Sequence, residues 1–171
     1  MKNTIPLPKS IFSERLLLIP FTMEICAEIL NENYDILERM GLQKGRNCPD
    51  SETLDIPRII ANLSKVSSPT GFESWMVIKK ETEEIIGDIG FKGFDHLNNS
   101  CDIGYGFIEA DRGRGYAEEA AKCLINWVLT VDPSVNITAA TLKENSSSIK
   151  LLQKLNFIET KRDANFIYWK L

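Results

Sequence analysis

The chain has 171 residues, 43% hydrophobic and 26% charged, a composition that fits one globular domain spanning the whole chain with a real core and leaves little room for a second. A net charge of −4 and a pI near 5.2 argue against a nucleic-acid binder, which carries a strongly basic face, and fit a cationic or amine-bearing substrate. No run approaches the ~18 apolar residues of a membrane span, and Leu16 to Ile19 is too short for a signal core, so a cytoplasmic protein with no membrane partner is expected.

The four cysteines, Cys26, Cys48, Cys101 and Cys123, lie far apart and form no CxxC pair, so reduced thiols are expected rather than disulfides or zinc. His96 is the only histidine, which removes most histidine-based metal sites. No metal is expected.

In chain order, Arg15 to Ile19 reads as a strand stopped by Pro20. Thr22 then caps a helical pattern of Met23, Ile25, Cys26, Ile29 and Leu30. A short helix from Tyr34 to Met40 ends at Gly41, Gly45 to Ser51 reads as loop, and a third helix runs from Thr53 to Lys65. Strands follow at Trp75 to Lys79, Glu84 to Phe94 and Cys101 to Ile108, the first two joined by a polar turn as antiparallel neighbours. Gly104 and Gly106 inside the third of these predict a bulge or a close backbone approach. A long helix from Gly115 to Thr130 carries Ala117, Ala120, Ala121, Leu124 and Val128 on one face. A strand from Asn136 to Leu142, a helix from Ser146 to Leu155, and strands at Phe157 to Thr160 and Phe166 to Leu171 complete the chain.

Chemistry concentrates in Asp111-Arg112-Gly113-Arg114-Gly115-Tyr116-Ala117, a turn between strand and long helix. Two glycines let backbone approach a ligand closely. The helix start that follows aims free N–H groups and the positive end of its dipole into the same turn. Such a turn suits phosphate, and Arg112 and Arg114 add charge that can grip it. A plain glycine turn with solvated arginines would look much the same. Neither a Walker lysine nor the third glycine of a dinucleotide fingerprint is present. Asn145 reads as the cap of the next helix, and Asn156 as its left-handed C-terminal residue before Phe157.

Taken together, these segments resemble the GNAT acetyltransferase superfamily, whose signature turn Q/R-x-x-G-x-G/A is matched by Arg112, Gly115 and Ala117. More narrowly they resemble the branch holding the ribosomal-protein N-terminal alanine acetyltransferases. The matches are Ser13 to Pro20, Ile85 to Phe91, Ile103-Gly104-Tyr105, Gly115 to Ala120 and Asn145 to Phe157, nearly the whole chain in the right order. Ile19 departs from the branch's first-strand arginine and Glu109 from a frequent proline.

The resemblance implies an α/β fold of the α+β type, a mixed and mostly antiparallel sheet of six or seven strands flanked by helices. It implies acetyl-CoA as cosubstrate and direct transfer of its acetyl group to a primary amine, on a small molecule or a peptide N-terminus. The pantetheine arm would pair with the backbone of Tyr105, Gly106 and Phe107. The diphosphate would sit on the amides of Arg112, Gly113, Arg114, Gly115, Tyr116 and Ala117, and Asn145 would touch the cofactor arm. Leu152 stands where other branches carry a tyrosine for the leaving thiolate, and Ser148 takes that role by resemblance. Asp102 is the candidate base, with Glu144 and Glu109 as rivals. The helices between Thr22 and Lys65 would form one wall of the acceptor cleft. A non-catalytic CoA-binding module of the same fold stays open, as do monomer and homodimer, and the acceptor and the physiological acyl donor.

Overall fold

The computed structural model describes residues 9–45 and 54–171; the loop expected at Gly45 to Ser51, Cys48, and Thr53 at the expected start of the third helix fall outside them, save Gly45 itself. Its elements are β1 (Ile11–Phe12), β2 (Leu16–Pro20), α1 (Met23–Leu30), α2 (Asp35–Arg39), α3 (Ile56–Leu63), β3 (Ser74–Lys79), β4 (Glu84–Phe91), β5 (Ser100–Phe107), α4 (Tyr116–Val131), β6 (Asn136–Leu142), α5 (Ser146–Lys154), β7 (Ile158–Arg162) and β8 (Phe166–Lys170). The strands form one sheet in the order β1-β2-β3-β4-β5-β6-β8-β7. Every neighbouring pair is antiparallel except β5 and β6, which run parallel. The fold is therefore the expected α/β arrangement with eight strands instead of six or seven. The extra one is two-residue β1, too short to show a period.

Helices form where capping and apolar spacing agree. Thr22 accepts from the Ile25 amide at 3.2 Å and Asp55 from that of Arg58 at 3.0 Å, which fixes the starts of α1 and α3. Asn145 accepts from the Ser148 amide at 3.1 Å and starts α5. Asn156 takes the left-handed φ of 66° that ends it, and the Phe157 amide donates back to the Leu152 carbonyl at 3.0 Å.

The sheet separates two cores. Against α4 and α5 it packs Trp75, Ile89, Phe91, Ile103 and Phe107, meeting Ala120, Leu124, Val128, Leu152 and Leu155. On the other face Met76, Ile78 and Ile85 meet Ile25, Ile29, Ile59 and Leu63 of α1 and α3. One expectation fails here. β5 carries no bulge against β4: Phe91 to Gly87 pair with Ile103 to Phe107 in unbroken register, and the register shift falls instead between Val77 and Ile78 of β3. Gly104 faces open space, where an added side-chain carbon would meet nothing within 4 Å.

Candidate active site

The glycine turn is built as an amide cradle. Gly113 and Gly115 take φ of 74° and 82°, in the left-handed region that glycine enters at no steric cost. Gly115 caps α4 without any side chain to satisfy the first amides, so the start of the helix stays open to an anion. Glu118 and Glu119 in the first turn would repel one, but both are engaged. Glu118 binds Lys122 at 2.8 Å and Lys154 at 3.5 Å; Glu119 binds the Ser13 hydroxyl at 2.6 Å and Arg15 Nε at 2.7 Å. Burial alone would raise the Glu119 carboxyl, but Ser13 and Arg15 hold it below its ordinary range.

Arg15 does more, donating from Nη1 to the Arg114 carbonyl at 3.0 Å and lying 4.4 Å over the Tyr116 ring. The sequence reading kept Arg15 as a strand residue and missed this brace. Arg112 donates from Nε to the Phe107 carbonyl at 2.8 Å, tying the turn to the end of β5. Arg114 and both glycines are exposed, while Tyr116 is buried. Beneath the turn, buried Asp111 pairs with Lys79 at 3.6 Å.

The second feature is an opening in the sheet. β5 pairs with β6 only from Ser100 to Asp102, opposite Asn136 to Thr138; beyond that, β6 pairs with β8 and β5 with β4 alone. The Lys92 amide donates to the Asp102 carbonyl at 3.2 Å and the Ile108 amide to that of Ile86 at 3.0 Å, so even-numbered residues of β5 turn their backbone to β4. Ile103, Tyr105 and Phe107 therefore turn theirs toward the opening. Gly106 faces Asp88 of β4 with its backbone and can offer a ligand only the space of its missing side chain.

Tyr105 packs against the core under α4 and α5, with its Oη buried and without a hydrogen-bond partner. Burial raises its pKa, and Ser148 in the first turn of α5 draws it partly back. Ser148 thus lies close enough to act on the phenol, although the two hydroxyls do not meet with hydrogen-bond geometry. Asn145 has its side-chain oxygen engaged by Ser147 Oγ at 2.9 Å and by the Ser148 amide, so capping already uses it.

Asp102, with Gly104, lies on the other face of β5. Its carboxylate accepts from Thr138 Oγ1 at 3.0 Å and pairs with Lys92. It lines a cleft of about 800 Å³ with Asn62 and Lys65 of α3 and its following turn, Glu73, Lys92 and Thr138. Glu144 and Glu109 are exposed on the surface. Near the same face the structure adds a group that sequence reasoning passed over. Asp88 of β4 is 2% exposed and held by Arg58 of α3 at 3.0 Å. Burial pushes its carboxyl up to about 6 in spite of Arg58. An acid inside the apolar run Ile85-Ile86-Gly87-Asp88-Ile89 was the signal that could have found it.

Cys26 and Cys101 are buried and their thiols pushed up to about 12, which keeps them unreactive. Among the described residues no helix is long and apolar enough to cross a membrane.

A family model described as an acetyltransferase (GNAT) domain matches residues 15–158. An uncharacterised N-acetyltransferase of Bacillus subtilis, YjdG, is 33% identical over 139 residues, 81% of this chain and 83% of that protein. Among solved structures, RimL, a ribosomal L7/L12 α-N-protein acetyltransferase in complex with coenzyme A, superposes with a TM-score of 0.68 at 14% identity, covering 95% of this chain and 97% of that one. A ribosomal-protein-S5-alanine acetyltransferase of Vibrio fischeri gives 0.65 at 17% identity, covering 95% or more of both chains (96% of each).

Proposed function

The chain belongs to the GNAT acetyltransferases and is an acetyl-CoA-dependent N-acetyltransferase; from that premise we propose that its acceptor is a primary amine, on a small molecule or a peptide N-terminus, which attacks the acetyl group directly. The observation that carries the proposal is the coincidence at one end of β5 of an open strand edge and an uncapped helix start. The residues present fit the cosubstrate: open amides for phosphate, free backbone at Tyr105 and the Phe107 amide for an extended arm (the Phe107 carbonyl being taken by Arg112), and a buried unpartnered hydroxyl beyond. When bound, acetyl-CoA supplies an acetyl group activated as a thioester.

The chain's own residues divide the remaining work. The amides from Arg112 to Ala117 hold phosphate, with Arg112 and Arg114 adding charge. Asn145 keeps the start of α5 aligned beside the arm, and Ser148 donates a hydrogen bond to the sulfur as it gains charge. An alkyl amine near pKa 10.4 arrives protonated and needs an acceptor for its proton. Asp102 fills that role from the cleft, its carboxylate oriented by Thr138. The acceptor enters along the α3 wall. The similar ribosomal-protein acetyltransferases support a peptide N-terminus, and the lack of a basic docking face in the sequence leaves a small amine equally well supported.

The test is thiol release from acetyl-CoA by the full chain against a panel of small amines and N-terminal peptides. Release with one acceptor class is expected, and no release with any primary amine would reject the proposal. For the base, Asp102→Asn should keep CoA affinity while its rate climbs with pH as free amine accumulates, without the wild-type plateau at lower pH. A wild-type pH–rate profile in that variant removes Asp102 from the mechanism.

A further inference from the structure

Buried hydroxyls in folded proteins almost always find partners, so one without any marks a place where something is missing. Tyr105 Oη is such a group. It projects from the strand whose edge is open, on the face covered by α5, beside the first-turn hydroxyl of Ser148. Leu152 of α5 is buried and apolar, so the helix brings no phenol of its own.

Resting on the cofactor site proposed above, we propose that Tyr105 is a further catalytic residue: its phenolic O–H donates a hydrogen bond to the sulfur of bound CoA, side by side with Ser148. As the C–N bond forms, the C–S bond breaks and the sulfur takes its electron pair. The proton lost by nitrogen goes to the base, and Tyr105 keeps its own. Burial holds the phenol protonated, which is what a donor requires. Because the hydroxyl has no partner to abandon, it is free to donate as charge develops on the sulfur. A water could also satisfy Oη, and a purely structural tyrosine would then leave the bound thiol unaffected.

The experiment titrates the thiol of CoA in its complex with the full chain, following the ultraviolet thiolate band as a difference from the desulfo-CoA complex. In the wild type the bound thiol should ionise below the ordinary thiol value of about 8.5. Tyr105→Phe should raise its proton affinity about tenfold, the scale of one hydrogen bond to an ionised group. Site-specific 3-fluorotyrosine at 105, a stronger donor of the same shape, should shift it the opposite way. Turnover in Tyr105→Phe should fall by roughly 10²-fold with little change in the KM for acetyl-CoA. An unchanged thiol titration in both variants overturns the proposal and leaves the cofactor site standing. Equal loss of desulfo-CoA affinity in Tyr105→Phe also overturns it, since the ring would then serve packing. Failure of the wild type to bind CoA at all would reject the cofactor site and this proposal with it.

Discussion

The two faces of the sheet handle charge in opposite ways. Around the glycine turn, at the α4 and α5 face, charges stand in braced pairs: Arg15 with Glu119 and Glu118 with Lys122 and Lys154 on the rim, and buried Asp111 with Lys79 beneath it. The pairs cancel what would repel an anion and leave backbone amides to do the binding. On the α1 and α3 face the carboxylate of Asp88 is buried inside the sheet and held by a half-exposed arginine, its carboxyl raised by burial in spite of that partner. On the reading proposed above, the first face takes a ligand whose phosphates are always the same. The second keeps a costly charge on the face that also carries Asp102, and burying charge without full compensation is a signature of a site rather than of stability.

If that division holds, changes on the α4 and α5 face should alter CoA handling, and changes on the other face should not. The largest effect is expected from Ser148→Ala. Losing one donor to a developing charge costs about 10²–10³ in kcat, roughly 3–4 kcal/mol, with the KM for acetyl-CoA little changed. Full activity in that variant would break the assignment of α5 to the thiolate.

Asp88→Asn comes next, and it should change stability without touching CoA affinity. A carboxyl raised to about 6 from 3.8 favours the folded state only when protonated. Its contribution is therefore present below pH 3.8 and lost as pH rises through about 6, at a cost of up to about 3 kcal/mol at neutral pH. Thermal melts of the wild type should decline across that window, and those of Asp88→Asn should be flat there. At pH 7 the variant should melt several degrees higher, at roughly 2–4 °C per kcal/mol for a chain of this size. A variant less stable at pH 7 would mean that Arg58 needs the charge, and the site reading of Asp88 would fall.

Gly115→Val should cut CoA affinity at least ~tenfold, about 1.4 kcal/mol, in a calorimetric titration. At φ 82° a β-branched residue is strained, and its Cβ would stand 3.4 Å from Arg15 Nη2. The unliganded melting temperature should therefore also drop by a few degrees, following a strain of about 1–3 kcal/mol. Unchanged affinity in a folded variant would show that the turn does not hold phosphate.

The same division explains what the sequence disclosed. Gly113, Gly115, Asn145 and Asn156 act through local backbone geometry, so their roles are written within a few residues of themselves. The α1 and α3 face depends on pairs far apart in the chain, such as Arg58 with Asp88 and Thr138 with Asp102. No periodicity records such pairs. Of the two readings of Gly104 and Gly106, a bulge or a close approach, the bulge fails for a related reason: the glycines themselves do not tell the two apart, and the register of the partner strand excludes the bulge. Arg15 looked like the first residue of a strand because its partner Glu119 lies 104 positions away.

The smallest expected effect tests that last residue. Arg15 is 43% exposed, so its pair with Glu119 is screened and worth about 1 kcal/mol at most. Arg15→Ala should nonetheless weaken CoA a few-fold, by two routes that can be separated. It releases the Glu119 charge in the first turn of α4, where a phosphate must sit, and it frees the Arg114 carbonyl that shapes the turn. The first route is electrostatic: it should fade with added salt and be rescued by Glu119→Gln in the same chain. The second is geometric and should survive both. Because Glu119 is held below its ordinary range, the pair's stabilisation is present above pH 4.5 and lost as pH falls through the lowered value. That acid-side slope should shrink without vanishing in Arg15→Ala whichever route weakens binding, because the Ser13 hydroxyl and the backbone amide of residue 15 still donate to Glu119. A change in the acceptor's KM with CoA affinity intact would place Arg15 on the wrong side of the sheet's division of labour, and the contrast between the two faces would fail at its most local point.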